Sequence, residues 1–230
     1  MERPQSNITV RFKQEYFRTR FVYDPRRKPV WTEVTRWIER RFVDEGARVL
    51  DLGAGYCDFI NAVTRASERH AVDIFDELST YADDGVQAIN TDCTDLSHFE
   101  DDSLDVVFAS NLLEHLTHDE LLLCMAEICR VLRPSGRFIA MQPNFKYCYR
   151  TYFDDYTHLQ IFTHLGLYDL LEMAGMTVTY CKPKFLPVNM KSTLKLRLPA
   201  LDLIVRTYLN MPFSPRAGQM LMVAENRPLP

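Results

Sequence analysis

Asp51, Asp73, Asp92 and Asn111 each stand at or near the end of a short apolar run, and two glycines, Gly53 and Gly55, interrupt the first of those runs. Carboxylates and amides of this kind accept hydrogen bonds from hydroxyl and amino groups. Glycine has no Cβ and tolerates positive φ, so a backbone carrying Gly53 and Gly55 can pass very close to a bound molecule. Further along, His115, His158 and His164 are side chains that can exchange a proton near neutral pH.

The elements that must position these residues follow from the pattern of apolar positions. The stretch Val-Leu-Asp-Leu-Gly-Ala-Gly-Tyr-Cys-Asp-Phe over 49–59 reads as a strand, a tight turn and a helix start, with the strand over 48–52 and the helix over 58–66. Strands are predicted over 70–74, 86–89 and 104–109. Thr117 and Glu120 have the spacing of a capping box, opening a helix that runs to about 132, where Pro134-Ser135-Gly136 stops it. A strand over 137–141, a helix over 165–173 capped by Gly175, and strands over 177–182 and 219–225 complete the pattern. Two helices over 14–42, broken at Asp24-Pro25 and Pro29, precede the first strand. Strands alternating with helices predict an α/β fold: a Rossmann-like, seven-stranded doubly wound sheet, mostly parallel with an antiparallel last strand and helices on both faces. One domain over 1–230 is expected, with amino-terminal lid helices over 1–44, a core over 45–183, an insert over 184–216 and a last strand and tail over 217–230.

Ligands of such sheets bind at the carboxyl ends of the strands, which is where Asp51, Asp73, Asp92 and Asn111 fall. A carboxylate after the second strand can accept both hydroxyls of a ribose, and one after the third can accept from the amino group of an adenine. Together they describe an adenosine lying across the sheet.

Composition bounds the function. The 230 residues are 47% hydrophobic and 25% charged, with a net charge of -4, which disfavours a broad nucleic-acid footprint. The six cysteines show no C-x-x-C or regular framework, as expected of reduced thiols in a cytoplasmic protein. No signal-like or membrane-spanning apolar stretch is visible. No metal is expected: His158 and His164, with Asp154 and Asp155 nearby, lack a recognised ligand spacing.

Val-Leu-Asp-Leu-Gly-Ala-Gly, Asp73, Asp92-Cys93, the run from Leu104 to Leu116 and Arg-Val-Leu-Arg-Pro-Ser-Gly-Arg from Arg130 together resemble the motifs of class I S-adenosylmethionine-dependent methyltransferases over about residues 45–145. That resemblance implies S-adenosylmethionine as cofactor. It implies Asp51 near the methionine amine, Gly53 and Gly55 against the amino-acid moiety and ribose, and Asp73 on the ribose hydroxyls. By the same likeness Asp92 meets the adenine N6, the Cys93 amide meets N1, and the backbone around Asn111 faces the methionine end. Cys57 stands where many members have a third glycine. The flanks, including the aromatic segment over 152–158, resemble a bacterial subgroup associated with glycan or lipid modification, and Thr157 replaces an acidic residue frequent before that group's histidine. Tyr16, Arg20 and Tyr23 are candidates for a lid, with Arg20 pairing the methionine carboxylate.

Methyl transfer from a sulfonium is an in-line displacement, so the protein chiefly aligns the acceptor and excludes water. For a hydroxyl acceptor a general base is useful, and His158, in the aromatic loop, is the first candidate, with His115 as the second. The expected acceptor is a small molecule, a sugar or a lipid-linked compound rather than nucleic acid. The insert's cations and apolar helix leave open weak membrane-surface contact or a homodimer. A dinucleotide oxidoreductase is disfavoured because its glycine pattern needs glycine where Asp58 stands. A non-catalytic cofactor- or partner-binding protein is the other alternative.

Overall fold

The segments at 48–52, 68–73 and 104–110 bury most of their residues, as inner strands of a parallel sheet must, while 86–90, only part-buried, pairs along one edge. In the computed structural model, which describes residues 21–187 and 200–227, these are β1 (Arg48–Leu52), β2 (Glu68–Asp73), β3 (Val86–Asn90) and β4 (Leu104–Ser110). They are joined by β5 (Leu132–Pro143), β6 (Met176–Lys182) and β7 (Gln219–Asn226) in one sheet of order β3-β2-β1-β4-β5-β7-β6. The first five strands are parallel, and β7 runs antiparallel to both β5 and β6, as expected. The strand order reverses between β1 and β4, which opens a crevice at their carboxyl ends.

Helices cover both faces. On one, α1 (Arg27–Phe42) buries Val30, Trp31, Val34, Trp37 and Ile38 beside Leu209 of α4 (Leu201–Leu209). On the other, α2 (His118–Val131) and α3 (His164–Met173) bury Leu121, Cys124, Met125, Ile128, Leu167 and Leu171. The Thr117–Glu120 capping box forms as predicted. Pro29 does not interrupt α1, because it lies in the first turn, where a missing N–H costs nothing. The expected lid residues Tyr16 and Arg20 lie outside the described residues, as do Lys191, Lys195 and Arg197 of the insert. Within the described part of the insert, Arg206 of α4 pairs with Glu33 of α1, while Leu203 and Ile204 are exposed. Among the described residues no helix is long and apolar enough to cross a membrane.

The helix expected over 58–66 does not form; a single 3-10 turn, Ile60–Ala62, replaces it. Side chains that would have lined that helix bond elsewhere. Asn61 donates to the Tyr81 carbonyl and accepts from the Asp83 amide, and Thr64 gives both its amide and its hydroxyl to Glu39 of α1. Such side-chain and capping bonds compete with the helical ladder. The second departure is at β5, which starts at Leu132 rather than at 137; Ser135 adopts φ +63° and the register with β4 shifts there.

Glu39 is 5% exposed and ties α1 to the segment leading into β2 through bonds of 2.9 and 2.8 Å to Thr64. Glu39→Ala strands those donors and is expected to lower stability by about 1–3 kcal/mol. Urea unfolding at neutral pH measures the loss.

Candidate active site

The turn after β1 carries the shape that its glycines predict. Gly53 and Gly55 have φ of +73° and +52°, and a Cβ on Gly53 would stand 3.1 Å from the Leu112 side chain, so the turn passes tightly under the next loop. Cys57 also has positive φ, +57°, a region that costs a non-glycine residue about 1–2 kcal/mol. That strain accounts for glycine being the simpler residue at this point of such a turn. The Cys57 side chain is fully buried, and burial raises its thiol pKa, so it is an inert core residue.

Two carboxylates organise the crevice. Asp73 accepts the Gly55 N–H at 2.8 Å and the Phe75 N–H at 3.0 Å, so the end of β2 holds the glycine turn of β1 in place. Burial raises its pKa while these amides oppose the rise. Asp51 is buried to 3% exposure. Its pKa is driven well above the usual carboxylate range, first by desolvation and then by the charges of Asp73 and Asp58, against one opposing amide from Ile60. A buried carboxylate in this state is a ready partner for a bound cation.

Asp92 shapes the loop after β3 by accepting the Thr94 amide and hydroxyl, with the buried Cys93 beside it. Asn111, after β4, is held at φ +52°, with its side-chain oxygen accepting from Gln219 at 2.9 Å. Asp51, Gly53, Gly55, Asp73, Asp92, Cys93, Asn111 and His115 all line one cavity of about 530 Å³, so the expected convergence is present. Arg27, Asp58, Trp31 and Gln219 line it too, and were not anticipated. Arg27 pairs with Asp58 at 2.9 Å. The signal for Gln219 was lost because nothing local places the first residue of β7 beside Asn111.

The three histidines divide. His164 is the first residue of α3, stacks on Tyr147 and lies 3.2 Å from the Asn144 amide, a helix-start role as expected. His115 lies in a 3-10 turn, Leu113–His115, and faces the cavity. Its Nδ1 lies 2.9 Å from the Thr157 hydroxyl and 3.3 Å from the Thr157 carbonyl, and that hydroxyl in turn donates to Asp155 at 2.6 Å. A carbonyl only accepts, and a hydroxyl whose proton goes to a carboxylate accepts as well, so Nδ1 carries the proton. In the neutral ring, Nε2 is then the acceptor nitrogen. His158 does not line the cavity; its ring packs edge-on against His115 with centroids 4.9 Å apart and against Tyr152 at 4.5 Å.

Glu114, which sequence reasoning passed over, completes the group. It is 1% exposed, and a carboxylate oxygen, one nitrogen of His115 and one of His158 all lie within 4.8 Å of one another. The Glu114 carbonyl accepts from Leu159 and Gln160, which pins the loop bearing His158 against the end of β4. The neighbouring aromatics split: Tyr152 is buried, whereas Phe153 and Tyr156 are exposed, and Tyr156 and Leu159 line the cavity.

Residues 50–140 match the family model described as a methyltransferase domain. No curated protein sequence matches the chain. Among solved structures, one is a chain of the complex between the Haloferax volcanii Trm112 methyltransferase activator and a methyltransferase (20% identity, TM-score 0.71, covering 95% of this chain and 99% of that one). Others are an S-adenosylmethionine-dependent methyltransferase from Archaeoglobus fulgidus (20%, TM-score 0.63, covering 92% and 97%) and the Burkholderia thailandensis 1,6-didemethyltoxoflavin-N1-methyltransferase with bound 1,6-didemethyltoxoflavin and S-adenosylhomocysteine (19%, TM-score 0.63, covering 99% and 92%). At these identities the structural likenesses speak to the fold, and the matched domain speaks to the chemistry. The matched segment runs from β1 to β5, so this part of the chain is similar to a methyltransferase domain, and the cofactor that goes with it is S-adenosylmethionine.

Proposed function

We propose that this chain methylates a hydroxyl group of a small molecule, sugar or lipid-linked acceptor. The observation that carries the reading is one cavity with two kinds of wall: Asp51, Asp73, Asp92 and Asn111 on the sheet side, and His115 beside Tyr156 and Leu159 on the loop side.

Bound S-adenosylmethionine supplies a methyl group on a positively charged sulfur. Asp73 receives the ribose hydroxyls while its two backbone bonds keep it in place. Asp92 and the Cys93 amide receive the adenine edge. Asp51 receives the ammonium of the amino-acid part, which relieves the cost of its own buried charge. Asn111, fixed by Gln219, lines the amino-acid end. Arg27 is a described alternative to Arg20 for the cofactor carboxylate, since it lines the cavity beside Asp58. Tyr156 and Leu159 offer an aromatic and an aliphatic surface to the acceptor. The group formed by Glu114, His115 and His158 takes up the charge or proton of the acceptor hydroxyl, with His115 presenting Nε2 to the cavity and His158 supporting it from behind. The glycan or lipid subgroup fits this aromatic loop, and the cytoplasm fits the reduced cysteines. A non-catalytic binding protein would use the sheet side alone, leaving the Asp155–Thr157–His115 chain without a purpose.

Calorimetry with S-adenosylmethionine, S-adenosylhomocysteine and NADH tests the donor: the first two bind and NADH does not, and absence of binding by both overturns the reading. Asp73→Ala is expected to weaken cofactor binding by about 1–3 kcal/mol, the range for a hydrogen bond to a charged acceptor. For His115→Ala and His158→Ala the expected result in an acceptor screen is loss of methyl transfer with cofactor affinity kept. Turnover equal to wild type would remove that residue from the acceptor side.

The raised pKa of Asp51 predicts a pH effect in the cofactor-free protein. Its folded value lies above its unfolded one, so the protonated form contributes stability that is present in acid and lost as pH rises through the folded value. Asp51→Asn should therefore gain thermal stability relative to wild type as pH rises from the ordinary carboxylate range to neutrality, while binding cofactor more weakly. Equal melting-temperature profiles for the two proteins from acid to neutral pH would contradict it.

A further inference from the structure

We infer that Glu114, His115 and His158 form a binding site for a divalent first-row transition-metal ion at the acceptor end of the cavity. The inference deepens the reading above, in which this trio takes up the charge of the acceptor hydroxyl, and it rests on that reading only for the ion's role in turnover.

The donor set is two imidazoles and one carboxylate, brought together from a 3-10 turn after β4 and a loop more than forty residues later, with their ligand atoms within 4.8 Å of one another. Ligands held about 2.1 Å from a shared ion stand at most about 4.2 Å apart. The trio therefore closes on an ion with a contraction on the order of an ångström, which side-chain rotation supplies. Nitrogen-rich sets of this kind suit zinc, iron, cobalt or nickel rather than magnesium or calcium.

Two features of the surroundings favour a ligand site over a packed core. The loop is fixed by backbone bonds independent of the ligand side chains, because the Leu159 and Gln160 amides donate to the Glu114 carbonyl at 2.7 and 3.1 Å and set His158 beside the turn. His115 is oriented by its Nδ1–H bond to Thr157, which is itself bonded to Asp155. A metal-binding histidine characteristically gives its second N–H to such a partner, which fixes the tautomer and leaves the other nitrogen for the ion. Thr157, one of the positions at which this chain departs from its resemblance, links Asp155 to His115.

Three protein ligands leave coordination positions open on an ion, and one of the three, His115, lines the cavity. An acceptor hydroxyl reaching the ion would be acidified, its proton leaving to water while the oxygen keeps the electron pair. The oxygen–carbon bond then forms as the sulfur–carbon bond of the methyl donor breaks, and the donor leaves as neutral S-adenosylhomocysteine. A simple imidazolium–carboxylate contact within the trio is the competing account.

The test is metal uptake by the full chain after dialysis against a chelator, followed by calorimetric titration with Zn²⁺, Co²⁺ and Mg²⁺ and by the Co²⁺ absorption spectrum. The expected result is one equivalent of Zn²⁺ or Co²⁺, much weaker Mg²⁺, and no thiolate-to-cobalt band that would point to the cysteines. His115→Gln and His158→Gln should each weaken Zn²⁺ binding at least tenfold, with S-adenosylmethionine affinity confirming that each variant is folded. No uptake by wild type, a thiolate band, or undiminished uptake in either histidine variant overturns the proposal. Should Glu114→Gln fail to fold, the histidine variants and the wild-type titration still decide. Zinc uptake without S-adenosylmethionine binding would sink the donor assignment and leave the metal site standing; the reverse result would do the opposite.

Discussion

The pair of hydrogen bonds from Gly55 and Phe75 to the Asp73 carboxylate joins the two strand ends on which the sheet side of the cavity depends. Without it the glycine turn, with its positive φ values, would be one of many conformations open to such a flexible segment. One side chain therefore does two things: it holds its neighbour's backbone and lines the crevice. The cost is a second buried carboxylate close to Asp51: burial drives the Asp51 pKa up and the Asp73 charge adds to it, while Asp73 itself is raised by burial and by the Asp92 charge. A cation bound between them would relieve that electrostatic tension.

The acceptor side is built differently. Its polar residues come from separate parts of the chain and are fixed by bonds between loops rather than by the sheet ladder. Asp155, Thr157 and His115 form one chain of contacts, and the Glu114 carbonyl anchors the loop that brings His158. The sheet thus makes its side of the cavity rigid by topology, while the loop side is specified by a few side-chain and loop contacts. Variation in those contacts would reshape the loop side of the cavity without disturbing the sheet side, in keeping with sites grafted onto a common fold.

The antiparallel β7 has a consequence for the site beyond completing the sheet. Because it runs against β5, its first residue, Gln219, pairs with Pro143 at the carboxyl end of β5 and reaches Asn111 at the end of β4. A parallel last strand would have put its opposite end there.

What the sequence determined by itself is the local chemistry: the glycine turn after β1, the strand ends bearing Asp51, Asp73, Asp92 and Asn111, the Thr117 cap and the mixed sheet. Each rests on spacings within about ten residues, where propensity and backbone geometry dominate. Asp58, one turn beyond the glycines, looked like a helix start, but Asn61 and Thr64 spend their polar groups on the loop before β3 and on Glu39 of α1, and only a 3-10 turn survives. Tertiary structure alone decided Gln219 beside Asn111, Arg27 beside Asp58, and Glu114 with His115 and His158. These contacts span from about thirty to more than a hundred residues, and no local pattern carries them. His115 faces the cavity and His158 stands behind it because the loop returns to the Glu114 carbonyl, a bond that becomes available only once β4 has ended and the sheet has brought the two segments together.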